Sequence, residues 1–552
     1  MRHYRLTTLT TLLCLGLATD APAYEATTTH AGLTAEAALA STLHQTLRSW
    51  GFARGLFTAL RIRQDLMDRG AFRALHRQFS RLDPAGGYRP IRGEQAAIAW
   101  LMTGAVLADM PATNNRAHFY DPTSGRGLND SRPLIGAATA LVSTMESGDR
   151  VRQLLTDSAF DLTGQSALSW LVDKHNPQSI SVLQTHLAQA LQGKTASYRA
   201  HHLALALLAL GGQLSLLQDM AQPAHVRNDY RHAFLTRLGT STWYRGSRYE
   251  RFVADSFGQH GLSAFRRLAV RKKRITAFFS DKDWRGLADV THINHFSPGT
   301  VPRPLPLEIA LDPQRAPQRI ADSMPYQQPR IHALDADCLR TQRTCAIRRG
   351  DRTLLNYRRD RKARVVFWIG RQAMLDSARQ LLPLAIGYSA GLIEHVFGAI
   401  GAATIENGQL DVDTPLPQGA TLTLYLDDAA GQRHQISRRS VSGGERRLAL
   451  TDLPTNGSGQ LTAVVSARLA GEPRYIVASY QLDKPKTSAP KPLWSEDAAA
   501  PASQAAATQP TSAPASRPTP SPNGSVPTSR PEPTSRPEPT SRPRVEAKSP
   551  AQ

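Results

Sequence analysis

The sequence predicts a mainly α-helical domain, then a small β-sandwich, then a Pro-rich tail without fixed structure. Three observations carry that prediction. Between His30 and about residue 401, apolar residues recur at spacings of three and four, the period of a helix with a buried face. From about residue 402 the chain turns to short alternating runs separated by Gly, Asp and Pro, the period of half-buried strands. From about residue 485 it is Pro, Ser, Ala and Thr, with a six-residue unit repeating in "PTSRPEPTSRPEPTSRPR". That composition has too little apolar surface to offset the entropy of ordering the chain. At 552 residues the protein exceeds what one core organises, so several domains are expected.

Taken in chain order, residues 1–23 read as an export signal peptide. "MRHYR" is a short positive region, "LTTLTTLLCLGLA" is apolar, and Ala21 to Ala23 form a small-residue cleavage site. The apolar run is too short to span a bilayer, and no later segment is expected to reach that length. Cys14 lies inside the leader without the small residues of a lipoprotein signal before it. The expected location is therefore outside the cytoplasm (periplasmic, secreted or cell-surface), with the mature chain starting near Tyr24. That oxidising setting makes Cys338 and Cys345, in "DCLRTQRTC", a small loop disulfide; no further soft ligands lie nearby to suggest a metal.

Residues 24–401 form the helical domain of this scheme. "LTAEAALASTLHQTLRSWGF" repeats apolar residues at helical spacing, with Thr34 placed to cap its start. "SYRAHHLALALLALGGQLSLLQDMA" is apolar on nearly all faces and reads as a buried central helix. "ARVVFWIGRQAMLDSARQLLPLAIGYSAGLIEHVF" reads as a long amphipathic run closing the domain. Residues 402–484, with "ATLTLYLDD", "RHQISRRSV", "RRLALTDL", "GQLTAVVSARLA" and "RYIVASYQL", give the β-sandwich. It shows no catalytic cluster, so a binding or spacer role is its default. Residues 485–552 are the extended tail.

Charge narrows the partners. Lys plus Arg number 66 against 45 Asp plus Glu, a formal net charge of +21. Such a surface favours anions: phosphates, phospholipid head groups, nucleic acid or acidic polysaccharide. The Arg residues of the tail offer peripheral contact with an anionic membrane or cell wall.

The chemistry concentrates in "LSLLQDMAQPAHVRND", where a helix delivers Asp219, Pro223 ends it, and His225 follows in a turn facing back. Upstream stand Asp109 in "GAVLADM", His118 in "RAHFYDP" and His30 in "TTTHAGLT"; downstream stands Glu250 in "SRYERF". Carboxylate and imidazole together suit zinc. Each residue alone has a plain structural explanation: a cap, a satisfied core histidine, an exposed helix acid.

In order, "HAGLT", "GAVLADM…AHFYDP", "LLQDMAQPAHVRND", "YERF" and "LPLAIGYSAGL" resemble the bacterial zinc-dependent phospholipase C family. That family shares its helical fold with zinc nucleases acting on single-stranded nucleic acid. The resemblance covers roughly residues 27 to 400 and implies up to three zinc ions in a cleft between helices. It implies that His30 shares one zinc with the N-terminal amine and carbonyl, which draws in Tyr24. It makes Asp109 a metal-adjacent carboxylate and the candidate catalytic base. His118 becomes a ligand of the same pair, Asp219 the carboxylate shared between ions, and His225 and Glu250 ligands of the remaining one. Two departures stand out. Ser215 occupies the place of an expected His one turn before Asp219. Gly246 occupies the place of a second expected His before Glu250, and His232 is the only histidine between His225 and Glu250. Fewer bound zincs are therefore expected, since even outer-shell losses weaken metal affinity by ~10- to 100-fold.

The function implied is phosphodiester hydrolysis outside the cytoplasm, on phospholipid before single-stranded nucleic acid. No interleaving of aromatic and basic residues of the kind that stacks bases is visible. The rival is an exported binding or surface protein that has lost turnover through Ser215.

Overall fold

The structure, a computed structural model, describes residues 26–82, 89–110, 114, 117–128, 165–229, 247–257, 268–316, 334–341, 343–398, 403–451 and 459–482. Residues 1–23, expected to be a signal peptide, lie outside the described residues, as do Tyr24, His232, Gly246 and the Pro-rich stretch from 485 onward. One compact unit spans Met1–Ser488; a second, Ala489–Gln552, contains no described residue.

The mainly helical expectation is overturned. The fold is 46% helical and 23% strand, with four small antiparallel sheets, so it is a mixed α and β protein. The helices used below are α1 (Ala31–Ala40), α2 (Leu43–Ser49), α3 (Arg69–Ser80) and α4 (Ala97–Ala108). They continue with α5 (Ile180–Gln192), α6 (Ala196–Asp219), α7 (Arg248–Ser256), α8 (Leu287–Asn294) and α9 (Arg371–Phe397). Two short strands, β1 (Ala59–Arg61) and β2 (Glu94–Ala96), pair between α2 and α4. A four-stranded sheet in the order β3-β6-β5-β4 is built from β3 (Leu305–Pro306), β4 (Cys345–Arg349), β5 (Arg352–Arg359) and β6 (Arg364–Trp368). This sheet lies wholly within the stretch read as helical. The apolar run "VVFW", taken as the start of the closing helix, is strand β6, and α9 begins only at Arg371.

α6 is the core helix. It is buried along almost its whole length, and Thr195 caps it by accepting from the Tyr198 amide at 3.0 Å. Among the described residues it is long and apolar enough to cross a bilayer, contrary to the expectation that no such segment follows the leader; here it is enclosed by protein. α4 crosses it with the two backbones in contact. A Cβ on Gly104 would meet the Leu208 carbonyl oxygen at 2.1 Å, and one on Gly211 would meet that of Leu101 at 2.1 Å. Gln178 satisfies the carbonyls at the crossing, its Nε2 donating to Gly104 at 2.8 Å and to Leu208 at 3.0 Å. α1 starts after a π-helical turn, Ala26–His30, and has no side-chain cap. Thr34 therefore does not cap it but lies buried inside, accepting from Gln218 Nε2 at 3.0 Å.

Residues 403–482 form two antiparallel sheets. β7 (Ala403–Glu406), β8 (Gln409–Val412) and β11 (Arg447–Ala449) run in the order β11-β8-β7. β9 (Ala420–Asp427), β10 (Arg433–Val441), β12 (Gly459–Leu469) and β13 (Glu472–Leu482) run in the order β10-β9-β12-β13. Leu410 and Val412 from one sheet share a core with Leu422, Leu461 and Ile476 of the other. Cys338 and Cys345 are joined by a disulfide that ties a short helix to β4.

Candidate metal centre

The close crossing of α4 and α6 brings together the residues that follow and end them. Asp109 stands immediately after α4 as its C-cap, and Asp219 is the last residue of α6. His30 ends the π-helical turn before α1. One ligand atom from each of His30, Asp109 and Asp219 lies within 4.8 Å of the others, and all three residues are buried. His30 Nε2 is 3.4 Å from Asp219 Oδ1 and 3.9 Å from Asp109 Oδ2. Its Nδ1 is 2.8 Å from Gln218 Oε1, which fixes the ring from behind.

His118 completes one flank. Its Nδ1–H donates to Asp219 Oδ2 at 2.6 Å and lies 3.4 Å from Asp109 Oδ1. His225 sits in the 3₁₀ turn His225–Arg227 that follows Pro223. Its Nδ1 donates to the His118 carbonyl at 2.9 Å, and the Tyr120 amide donates to the His225 carbonyl at 3.1 Å. Phe119 stacks on the His225 ring, centroids 4.1 Å apart. Asn228 ends the turn in the left-handed region at φ 52°, a conformation Asn tolerates through its short polar side chain. His225 Nε2 is 3.2 Å from Glu250 Oε1. Glu250 is committed locally as well, since Ser247 and Glu250 form the capping box of α7.

All six residues singled out in the sequence are thus in one buried neighbourhood. His30, Asp109 and Asp219 form the ligand cluster, His118 bridges both carboxylates, and His225 with Glu250 is an adjoining pair joined through the His118 backbone. Ser215, one turn before Asp219, is fully buried, and its Oγ has no hydrogen-bond partner among the described residues. Sequence reasoning missed Gln218, which positions His30, and Gln222, whose Nε2 donates to Asp219 Oδ1 at 3.2 Å. Glutamines on both sides of Asp219, one in the last turn of an apolar helix and one just beyond it, were the available signal.

The donor set fits a cation. Both carboxylate oxygens of Asp109 are buried without a hydrogen-bond partner among the described residues, and so is His118 Nε2. Bare buried acceptors are costly, and an ion with a preference for nitrogen and oxygen ligands would satisfy them. Burial lifts the Asp109 carboxyl to about 6, against the pull of His118 and His30. Burial also depresses the His30 imidazole, but the Asp219 and Asp109 carboxylates outweigh it and raise the group to about 9. Asp219 feels the same burial, yet His225, His30 and the bond from His118 hold it well below the ordinary carboxylate range. His225 is depressed by burial and raised further by Asp219 and Glu250, for a net upward shift.

Fold and site together define a mixed α and β protein carrying a buried His–Asp–Asp cluster that can hold a metal ion. No family model, no curated protein and no solved structure matches the chain.

Proposed function

We propose that the protein is an exported zinc-dependent hydrolase of phosphodiesters, with phospholipid as the favoured substrate class. One observation carries this reading: the Asp109 carboxylate, beside His30 and Asp219, accepts no hydrogen bond among the described residues at a point where a cation would balance it. The ordered motifs from His30 to Glu250 and the net charge of +21 support the phosphodiester assignment.

His30, Asp109 and Asp219 would hold the ion, with His118 turned toward both carboxylates. A divalent ion, when bound, supplies positive charge for phosphate oxygens and acidifies a nearby water. Asp109 is the carboxylate placed to take a proton, because it lies within the cluster and neither of its oxygens accepts a hydrogen bond among the described residues. Gln218 and Gln222 fix His30 and Asp219 in orientation, and His118 orients Asp219 from the other side.

A second reading is favoured by the burial of the whole cluster, with Asp109 only 5% exposed and His30 and Asp219 not at all. Closed sites are the habit of structural ions. In that reading the ion staples the N-terminal turn to α4 and α6 in a binding protein without turnover. The deciding experiment is elemental analysis of wild-type protein and Asp109→Asn, with assays on phosphatidylcholine vesicles, an aryl phosphodiester and single-stranded DNA. Stoichiometric zinc with turnover lost in the variant supports the hydrolase. Zinc without turnover on all three substrates, and a lower melting temperature on chelation, overturns it in favour of the staple.

A further inference from the structure

α6 carries the metal centre at its C-terminal end; a cleft of about 1170 Å³ opens at its other end. Ser197, which lines the cleft, and Asp219 are separated by about 33 Å along the helix axis at 1.5 Å per residue. The cleft is therefore separate from the chemistry proposed above. Its walls are the paired strands β1 and β2, the turn at residues 91–94, α3 and the N-terminal end of α6.

The lining is cationic. Arg61, Arg63, Arg89 and Arg92 face Asp65 and Glu94, with His76 on the α3 side. Arg63 is already engaged: its Nε donates to Asp65 Oδ1 at 2.9 Å and its Nη1 to Ser197 Oγ at 3.1 Å. Arg61 stands opposite Glu94 across the ladder. Arg89 and Arg92 are exposed and make no hydrogen bond or ion pair among the described residues. Arg92 also takes φ 51° ahead of Gly93 at φ 72°, closing the tight turn between Ile91 and Glu94. A non-glycine residue holds that conformation only against steric resistance, and such positions concentrate at ligand clamps. The N-terminus of the 24-residue α6 adds a positive dipole end on the same side. Between the cations lie Phe72, Phe79 and Ile91, the last 79% exposed.

We propose that this cleft binds a phosphate-bearing small ligand whose remainder is apolar or aromatic. Two exposed guanidinium groups present fork-shaped donors suited to phosphate, and the phenyl and isoleucine side chains suit the rest of such a molecule. The concave form fits a compact ligand, not a polymer laid along a basic strip.

The test titrates the full-length protein, metal-loaded and Asp109→Asn, with pyrophosphate by calorimetry. In parallel it measures co-sedimentation with phosphatidylglycerol and phosphatidylcholine vesicles. Saturable binding of pyrophosphate or selective binding of phosphatidylglycerol is expected, at equal strength in both proteins. The double variant Arg89→Gln/Arg92→Gln should weaken it tenfold or more while leaving circular dichroism unchanged, because both side chains are exposed. Arg438→Gln/Arg446→Gln, with the same charge loss on the C-terminal sheets, should leave it intact. Binding of pyrophosphate alone identifies a soluble phosphate ligand, and binding of anionic vesicles alone identifies a lipid headgroup. No saturable binding of either probe overturns the proposal, and so does equal weakening by the two double variants.

Discussion

Asp109 and His30 hold opposite halves of one electrostatic problem. Without a cation, Asp109 is a buried carboxyl lifted to about 6, and His30 an imidazole raised to about 9. Both folded-state values lie above the unfolded ones of 3.8 and 6.5, so each group stabilises the metal-free fold at low pH. That contribution fades as pH climbs, from Asp109 through about 6 and from His30 through about 9. Chelated protein should therefore melt at progressively lower temperature from pH 6 to pH 9, while metal-loaded protein holds steady; parallel curves would refute this. Metal must also displace the His30 proton, so affinity should rise over the same range, with proton release visible in buffer-dependent calorimetry. Asp109→Asn keeps the side-chain volume and removes the charge. It should lower metal affinity at least about 10-fold without lowering the melting temperature of chelated protein. Ser215 offers a contrasting case, since its hydroxyl is buried without a hydrogen-bond partner among the described residues. Ser215→Ala should be neutral or stabilising by about 1 kcal/mol, because a buried unsatisfied group is removed. A fall in zinc content in that variant would instead assign the hydroxyl to the site.

At the scale of elements, the site depends on how closely α4 and α6 approach. No side chain fits at Gly104 or Gly211 while the opposing carbonyl stays where it is. Gly211→Ala should force the helices apart, costing about 1–3 kcal/mol as an overpacked contact and separating Asp109 from Asp219. A variant with unchanged melting temperature and full metal content would show that the crossing does not set the centre. α6 was legible in the sequence because its apolar surface runs all round, which only a fully enclosed helix sustains. The ligands near its end were legible because Pro223 forces a turn that returns His225. Strands β4 to β6 were not. Their outward positions carry Arg348, Arg349, Arg358 and Arg364, and β6 is a short apolar run directly upstream of a long helix. Periodicity cannot separate a short apolar strand from the first turn of such a helix. Thr34 misled for a related reason: it resembles a cap, but the turn Ala26–His30 already extends the helix upstream, and the hydroxyl serves Gln218.

For the whole molecule, the C-terminal sheets are bound into the same compact unit as the metal centre. Asp427 at the end of β9 is clamped by Arg433, Nε to Oδ1 and Nη2 to Oδ2 at 2.6 Å each. Arg199, in the first turn of α6, reaches the same carboxylate at 3.1 Å. Arg433 also donates to the Leu191 carbonyl at the end of α5. On the opposite strand edge, Ser479 Oγ donates to the Ser49 carbonyl at 2.6 Å, and Glu472 accepts from the Ile275 amide at 2.9 Å. The contacts at Asp427 are polar and buried, so they depend on every partner being present. Removing Asp427 would leave two guanidinium groups buried without their carboxylate, and breaking such a group typically costs about 3–5 kcal/mol. Asp427→Ala should accordingly lower the melting temperature of the entire unit in a single calorimetric transition, including the release of bound metal. The alternative outcome is two transitions, with only the lower one displaced. It would mean that the sheets are an appended module and that α6, with the centre at its far end, stands without them.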